Sequence, residues 1–453
     1  MARILCVITG LKGMTNTTFA LLDRLQNLGH DVFFSTYRDF EEQNIDAPFR
    51  YFPLAKYRRY DSSILPESRS GNKALRFVRN AFSHTSMRNQ LGRLLEEDLK
   101  VYEQVIDLTK PDLVFVDIEM PAHIALNRSR QMPTLIISQF FIERTSDELP
   151  PLSSSYIPLA KASSRKIIRQ AWIKIAAKNR KKAFKALMRF QVTQETVIEG
   201  YLNRMAKNLI GSFKKNLYFS HTYSFYDIDT LHTTYQELEW PASAQLNRHY
   251  IGGLVHKKRE DLEEANQGLI NVLNLKNKSG QKLICISFST MEKSNESGGR
   301  LLIKQLIKAI GKNQNYVGII AGSQEWLIAE IESYKNVHSF EKMPLLTVLK
   351  HADCSINHGG MNTINECIEY NVPMLLYSGN QHDQNGCMAR MQYHNMAVIG
   401  DEKNDTVEDI KRKIEQAMSS KTIKANMQAL TSPETKQRYR NKLETLVNQA
   451  LAS

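Results

Sequence analysis

The chain has 453 residues, 42% of them apolar and 24% charged, with 21 glycines and 13 prolines. At roughly 100–200 residues per domain this provides for two or three domains with real cores, and it excludes collagen-like, low-complexity and wholly disordered chains. Lys and Arg number 60 against 47 Asp and Glu, a net charge of +13 that fits an anionic partner without choosing among nucleotide, nucleic acid and membrane surface.

The first ten residues place one Arg before a short apolar run. That run is too brief for a membrane span and no small-x-small cleavage site comes after it, so it reads as a buried strand, Ile4–Thr9. A glycine turn over Gly10–Thr15 leads to a helical stripe of Phe19, Leu21, Leu22, Leu25 and Leu28, closed by Gly29. With a strand at Val32–Thr36 this makes a right-handed βαβ unit of the nucleotide-binding type. His30, at the helix end, reads as structural. Pro111–Asp117 and Pro133–Ser138 repeat the buried-strand signal with a helix between them.

The stretch from Lys161 to Arg189 is basic, without an acid, and its Ile167, Ile168, Trp172, Ile175, Phe184 and Leu187 keep helical spacing. Three readings stand: a solvated face of helices packed on the first domain, an amphipathic surface drawn to anionic lipid, and a nucleic-acid contact. No helix-turn-helix, RNP or zinc signature accompanies the charge, which counts against nucleic acid. Residues 256–280 are polar and charged and suit an exposed connection.

From residue 282 a second set of signals begins: strands at Lys282–Ser289, Tyr316–Ala321, Ala352–Asn357 and Val372–Tyr377, with a helix at Arg300–Gly311. Two such runs predict an α/β protein of two doubly wound domains facing a cleft. No run approaches ~18 consecutive apolar residues, so no bilayer crossing is expected. The five cysteines form no C-x-x-C and read as reduced, buried thiols of a cytoplasmic protein.

The strongest chemical signal is Asn357-His358-Gly359-Gly360-Met361-Asn362-Thr363-Ile364-Asn365-Glu366, set between a buried strand and a helix. Two glycines let a phosphate approach the main chain, and the helix start offers unpaired N–H groups. His358, Asn362 and Thr363 add donors, and Glu366, further along the helix, can accept from ribose hydroxyls. Taken singly, Asn362 and Thr363 read as helix caps and Asp383 and Gln384 as a polar loop; the ordered set reads as a donor site.

This stretch resembles the signature of family 1, UDP-glycosyltransferase-like and macrolide-glycosyltransferase-like, nucleotide-sugar-dependent enzymes of GT-B fold. The resemblance spans most of the second half. Met343-Pro344 and His351-Ala352-Asp353 match the family's approach to the motif, and Val372-Pro373-Met374 and Asp383-Gln384-Asn385-Gly386 match its downstream stretches. Ser287-Phe288-Ser289-Thr290 is similar to the family's phosphate-contacting turn. The resemblance implies that His358, Gly359, Gly360, Asn362, Thr363 and Thr290 hold the diphosphate. It further implies Glu366 on the ribose, the main chain of Met343 on the base, and Asp383 with Gln384 on the sugar hydroxyls.

Several positions depart from the family's pattern: Lys342 for its base-stacking Trp, Leu345 for its Gln, Asn371 for a Gly and Cys387 for an Asn. The largest departure is Met14, which falls where the family has its general-base His; methionine takes no proton. Asp117 matches the Asp that orients that His. It is either a base itself, if buried with a raised pKa, or a strand-end Asp bonded to nearby backbone. Glu119 and His123 are reserve candidates on the same loop. Asp227-Ile-Asp229 mimics a metal-binding D-x-D, but no buried strand precedes it, and no H-E-x-x-H, G-x-S-x-G or P-loop motif occurs.

The expectation is therefore an acceptor-binding domain over 1–248, a nucleotide-sugar domain over 249–431 and a C-terminal helix, 432–453, returning to the first. The activity implied is inverting, metal-independent transfer of a hexose from a nucleotide sugar, UDP before dTDP, to a small-molecule or lipid acceptor. No cofactor, metal or nucleic acid is expected, and 161–189 is a candidate for an anionic membrane surface. The alternative is a non-catalytic, auxiliary GT-B protein that binds nucleotide sugar.

Overall fold

The computed structural model describes residues 1–37, 49–55, 73–143, 145–159, 161–188, 190, 192, 194–205, 213–215, 223–225, 227–241, 248–258, 267–288, 297–341, 343–379 and 383–452. In chain order the first half holds β1 (Arg3–Ile8), α1 (Lys12–Asn27), β2 (Asp31–Thr36), β3 (Arg50–Pro53), α2 (Lys73–Thr109), β4 (Leu113–Asp117), α3 (Pro121–Ser129) and β5 (Thr134–Ser138). Next come α4 (Ala162–Met188), α5 (Gln194–Met205), a small antiparallel pair β6 (Phe213–Lys215) and β7 (Tyr223–Phe225), then β8 (Thr230–His232) and β9 (Arg248–Tyr250).

The second half runs α6 (Gln267–Ser279), β10 (Lys282–Ser287), α7 (Ser297–Gly311), β11 (Tyr316–Ala321), α8 (Glu325–Ile331), β12 (Val337–Phe340), α9 (Leu345–Leu349) and β13 (Cys354–Asn357). It continues with α10 (Met361–Glu369), β14 (Met374–Leu376), α11 (Gln384–Tyr393), β15 (Ala397–Ile399), α12 (Val407–Ser419), α13 (Lys421–Thr431) and α14 (Pro433–Ala452).

The strands form two parallel sheets, ordered β3-β2-β1-β4-β5-β8-β9 and β12-β11-β10-β13-β14-β15. Their cores explain the sequence pattern: Leu113 to Val116 of β4 and Leu283 to Ile286 of β10 are covered on both faces, so the runs are continuously apolar rather than alternating. Register places Ile4 of β1 between Val32 and Leu113, and Cys285 of β10 between Ile319 and Ser355. In each sheet the order reverses at the strand that comes first in the chain, between β1 and β4 and between β10 and β13. Crevices at the carboxyl ends of such strands are where doubly wound folds bind ligands.

Three packing features position these crevices. On one face of the first sheet, α1 packs with Leu443, Leu446 and Val447 of α14, around Ile4, Phe34 and Leu135. On the other face, Leu95, Leu99 and Tyr102 of α2 meet Ile124 of α3 and Leu202 of α5. The core of the second sheet runs on into Phe141, Ile142, Leu152, Leu238 and Tyr250 of the first half, so the halves share continuous apolar packing.

Two expectations need correction. Residues 267–279 are not an exposed connection but helix α6, whose Leu269 and Leu273 are buried against Leu283, Cys285 and Val317. A two-leucine, one-face stripe is easily hidden by the surrounding Asn and Lys. The glycine turn after β1 is also shorter than expected, because α1 already starts at Lys12.

Candidate active site

The second crevice is built by the β13–α10 junction. Gly359 has φ +77°, a left-handed conformation that favours glycine, and a Cβ there would stand 3.1 Å from Met388 Cγ. The chain can then turn directly into α10, whose N-cap is Gly360. Among the described residues no side chain caps this helix start, so the first-turn N–H groups carry their partial positive charge toward the crevice. The ring of His358 folds back over Gly360, and its Nδ1 is buried with no hydrogen-bond partner among the described residues. Burial lowers the pKa of this imidazole, which keeps it neutral. Thr363 lies in the same first turn, and Glu366, buried, one turn further along.

Met343 is half-buried just before α9, and Asp383 is the N-cap residue of α11. Gln384 is buried and accepts a hydrogen bond from Gly379 N at 2.8 Å. Thr290 and Lys342 lie outside the described residues.

The first crevice holds Asp117, the last residue of β4. Its Oδ2 accepts from Thr9 Oγ1 at 2.9 Å and Thr9 N at 3.3 Å, and its Oδ1 from Glu119 N at 3.0 Å. Asp117 is fully buried, whereas Thr9 keeps an exposed side. Burial, and then the Glu119 carboxylate, push the Asp117 carboxyl up to about 7, against the hydrogen bonds that favour its charged form. Met14 is buried on α1, and its Sδ accepts from Gln139 Nε2 at 3.2 Å.

The two crevices meet. Asn362 Nδ2 donates to Gln139 Oε1 at 3.1 Å, and Thr17 Oγ1 donates to Asn362 Oδ1 at 3.0 Å. Asn362 therefore does not cap its own helix; it reaches across to α1 and to the segment after β5. Asn365 reinforces this from one turn on, accepting from Thr234 Oγ1 at 3.1 Å and donating to Thr233 O at 2.9 Å.

The segment after β5 crosses onto α11. Leu152 N donates to Glu143 at 3.0 Å, Leu152 O accepts from Gly386 N at 2.7 Å, and Ser153 O accepts from Asn385 Nδ2 at 3.1 Å. Burial raises the Glu143 carboxyl well above the usual range; Arg390 opposes that shift and Asp383 adds to it. The sequence alone does not point to Gln139, Glu143 or Glu239. Their only signal is a polar residue directly after a buried strand or inside an apolar stretch.

Other candidates lie elsewhere. His123 is not on the loop after β4 but in α3, buried beside Asp98, Tyr37 and Tyr102 in the core. Asp227 pairs with Arg128, and Asp229 accepts from His249 at 2.8 Å, so the D-x-D carboxylates are already engaged. His30 Nδ1 accepts from Ala2 N at 3.3 Å, tying the end of α1 to the start of the chain.

Two Rossmann-like sheets whose crevices face one another, one ending in an uncapped helix start, define the GT-B glycosyltransferase architecture. The chain belongs to the UDP-glucoronosyl and UDP-glucosyl transferase family, whose model matches residues 65–439. It is similar in fold to the glycotransferase of kitacinnamycin (TM-score 0.64, 15% identity, covering 99% of this chain and 100% of that one). It is likewise similar to the calicheamicin glycosyltransferase CalG4 (0.62, 13%, 100% and 98%) and to the glycosyltransferase VinC in complex with DTDP (0.57, 14%, 100% of both). No curated protein sequence matches the chain.

Proposed function

We propose that this glycosyltransferase moves a hexose from a nucleotide sugar, UDP-hexose before dTDP-hexose, to a small-molecule or lipid acceptor, with inversion and without a metal ion. The observation that carries the reading is the uncapped α10 start beside the unpartnered Nδ1 of His358. An anion seated there meets main-chain N–H groups, a helix dipole and a buried donor at once. In this reading His358, Gly359, Gly360, Asn362 and Thr363 grip the diphosphate, with Thr290 from the facing turn. Glu366 takes the ribose, the main chain of Met343 the base, and Asp383 with Gln384 the sugar hydroxyls. The acceptor side then runs to the end of β9 at Tyr250 rather than stopping at 248, because β9 pairs with β8 in the first sheet; the donor side follows to 431, and 432–453 returns to the first. Five buried free thiols suit a reducing compartment such as the cytoplasm.

In the reaction the acceptor oxygen forms its bond to the anomeric carbon as the bond to the diphosphate breaks. The electron pair leaves with the diphosphate, where the α10 start stabilises it. The acceptor proton passes to Thr9 Oγ1 as that hydroxyl gives its own to Asp117 Oδ2, so the Thr9–Asp117 pair supplies the base that Met14 cannot.

Thermal shift with UDP, dTDP and their sugars tests the donor half. Stabilisation by a nucleoside diphosphate, lost in both His358→Ala and Glu366→Ala, is the expected result; no shift with any of them overturns it. The full covering of Asp117 and the loss of the usual His favour a second reading, a non-catalytic nucleotide-sugar binder. Donor binding without hydrolysis or transfer over a broad acceptor panel would select that one.

A further inference from the structure

Helix α4 is anchored at one end only. Ser164, Ile168, Trp172 and Ala176, every fourth residue, are buried, and Trp172 Nε1 donates to Leu149 O at 2.8 Å. Beyond Asn179 every described side chain to Met188 is exposed, so the last turns project from the body of the protein.

Those turns are not a simple polar surface. Phe184, Leu187 and Met188 are 62%, 73% and 57% exposed, and at 100° per residue they continue the stripe of Ile173, 59% exposed on the anchored half. Lys181 and Lys185 form the neighbouring stripe, in line with Lys174 and Lys178 of the preceding turns. Among the described residues acids serve the anchored end, where Glu148 pairs with Arg165 and Asp147 with Arg169. Among the described residues the projecting lysines have no acidic partner. Large apolar side chains left in water beside a row of unpaired lysines match the chemistry of an anionic bilayer surface, with acyl chains for one stripe and headgroup phosphates for the other.

We infer that the projecting half of α4 lies in the headgroup region of an anionic membrane, holding the protein there without spanning it. Among the described residues no helix is long and apolar enough to cross a membrane. The chain from β5 to α4 is also the segment that closes on α11 through Leu152 and Ser153. Docking thus holds the cleft close to the lipid surface. The acceptor is then a membrane-resident molecule, a step that alone rests on the transferase reading above.

The test is co-sedimentation of the full chain, without donor, with phosphatidylcholine vesicles and with vesicles containing phosphatidylglycerol, at low and high salt. Binding to the anionic vesicles only, weakened by salt, is expected. At about fivefold per lysine, Lys178→Gln/Lys181→Gln/Lys182→Gln/Lys185→Gln lowers it by roughly a hundredfold or more. Phe184→Ser/Leu187→Ser removes the binding that survives salt. Both variants change exposed residues and should keep the parent's melting and its nucleotide-induced shift, so failure of docking and failure of donor binding are read separately. Equal binding to both vesicle types, no binding, or unchanged binding by the variants overturns the inference. So does a dimer in size exclusion that Phe184→Ser/Leu187→Ser dissolves, or retention of RNA in place of vesicles.

Discussion

Arg390 of α11 and Glu239 of the segment after β8 meet across the two halves: Arg390 Nε donates to Glu239 Oε1 at 2.7 Å, and both side chains are 1% exposed. Glu239 also accepts from Trp240 N, Ile142 N and the Tyr250 hydroxyl, while the guanidinium lies over the rings of Phe141 and Trp240 at 4.5 and 4.9 Å. Removing one charge leaves the other buried without its counter-charge. Arg390→Met should therefore lower unfolding stability by about 3–5 kcal/mol, read from urea denaturation. Arg390→Met with Glu239→Leu removes both charges and should be less destabilised than the sum of the two single variants. Additive losses would mean the pair is not coupled.

A second joint depends on a missing side chain. A Cβ on Gly386 would stand 2.5 Å from the Leu152 carbonyl oxygen and 2.8 Å from its Cα, both main-chain atoms that cannot rotate away. Gly386→Ala should push the β5–α4 segment off α11 and break the 2.7 Å bond from Gly386 N. Asp383 and Gln384 open that helix, so nucleotide-sugar affinity should fall along with stability. Calorimetry with UDP and UDP-hexose checks this; a loss confined to the sugar, with UDP binding kept, is the expected pattern.

The architecture was legible because buried parallel strands advertise themselves as short apolar runs, and β11 falls on the predicted residues, Tyr316–Ala321. The β13–α10 junction was legible because its glycines sit at fixed offsets from a strand. What the chain concealed was long-range pairing. Nothing local marks Gln139 as the partner of Asn362, 223 residues away, or Glu239 as the partner of Arg390, 151 away. His123 is not on the loop after β4 because α3 already begins at Pro121, which occupies the first helical turn, where its missing N–H costs nothing.

The Thr9–Asp117 pair predicts a pH profile. A carboxyl held near 7 is protonated below that pH and cannot accept a proton, so kcat/KM should fall on the acid side with a midpoint near 7. Asp117→Asn should abolish that limb and slow transfer by about 10²–10⁴, the usual worth of a general base. Thr9→Val keeps the shape of the side chain, removes the hydroxyl and should slow transfer while leaving donor affinity unchanged. Adding Met14→His to Thr9→Val supplies an imidazole at the same crevice and should restore part of the rate. An acid limb that persists in Asp117→Asn places the base elsewhere.

Beneath the first crevice, the Asp98 carboxyl accepts from Tyr37 Oη at 2.6 Å and lies 3.3 Å from His123 Nε2, while Asp98 Oδ1 and Asn127 Nδ2 are buried without hydrogen-bond partners. Burial pushes Asp98 up to about 8, opposed by the Tyr37 bond, and pushes His123 down to about 3, so both are neutral at neutral pH. The unfolded chain releases the Asp98 proton near the ordinary value of 3.8, so above that pH the folded state binds more protons and stability falls until the pH passes about 8. His123 acts in the opposite sense: its unfolded form is protonated below the ordinary value of 6.5 and its folded form is not, so stability rises with pH up to there. The two trends offset each other in acid and leave Asp98 alone above 6.5. Asp98→Asn keeps an acceptor for Tyr37 and carries no charge. Its urea midpoint should match the parent's at about pH 4 and exceed it by a margin that grows up to about pH 9, where the parent must hold a buried carboxylate. A margin that stays constant between those pH values would mean that folded Asp98 gives up its proton near the ordinary value and that His123 takes none in return.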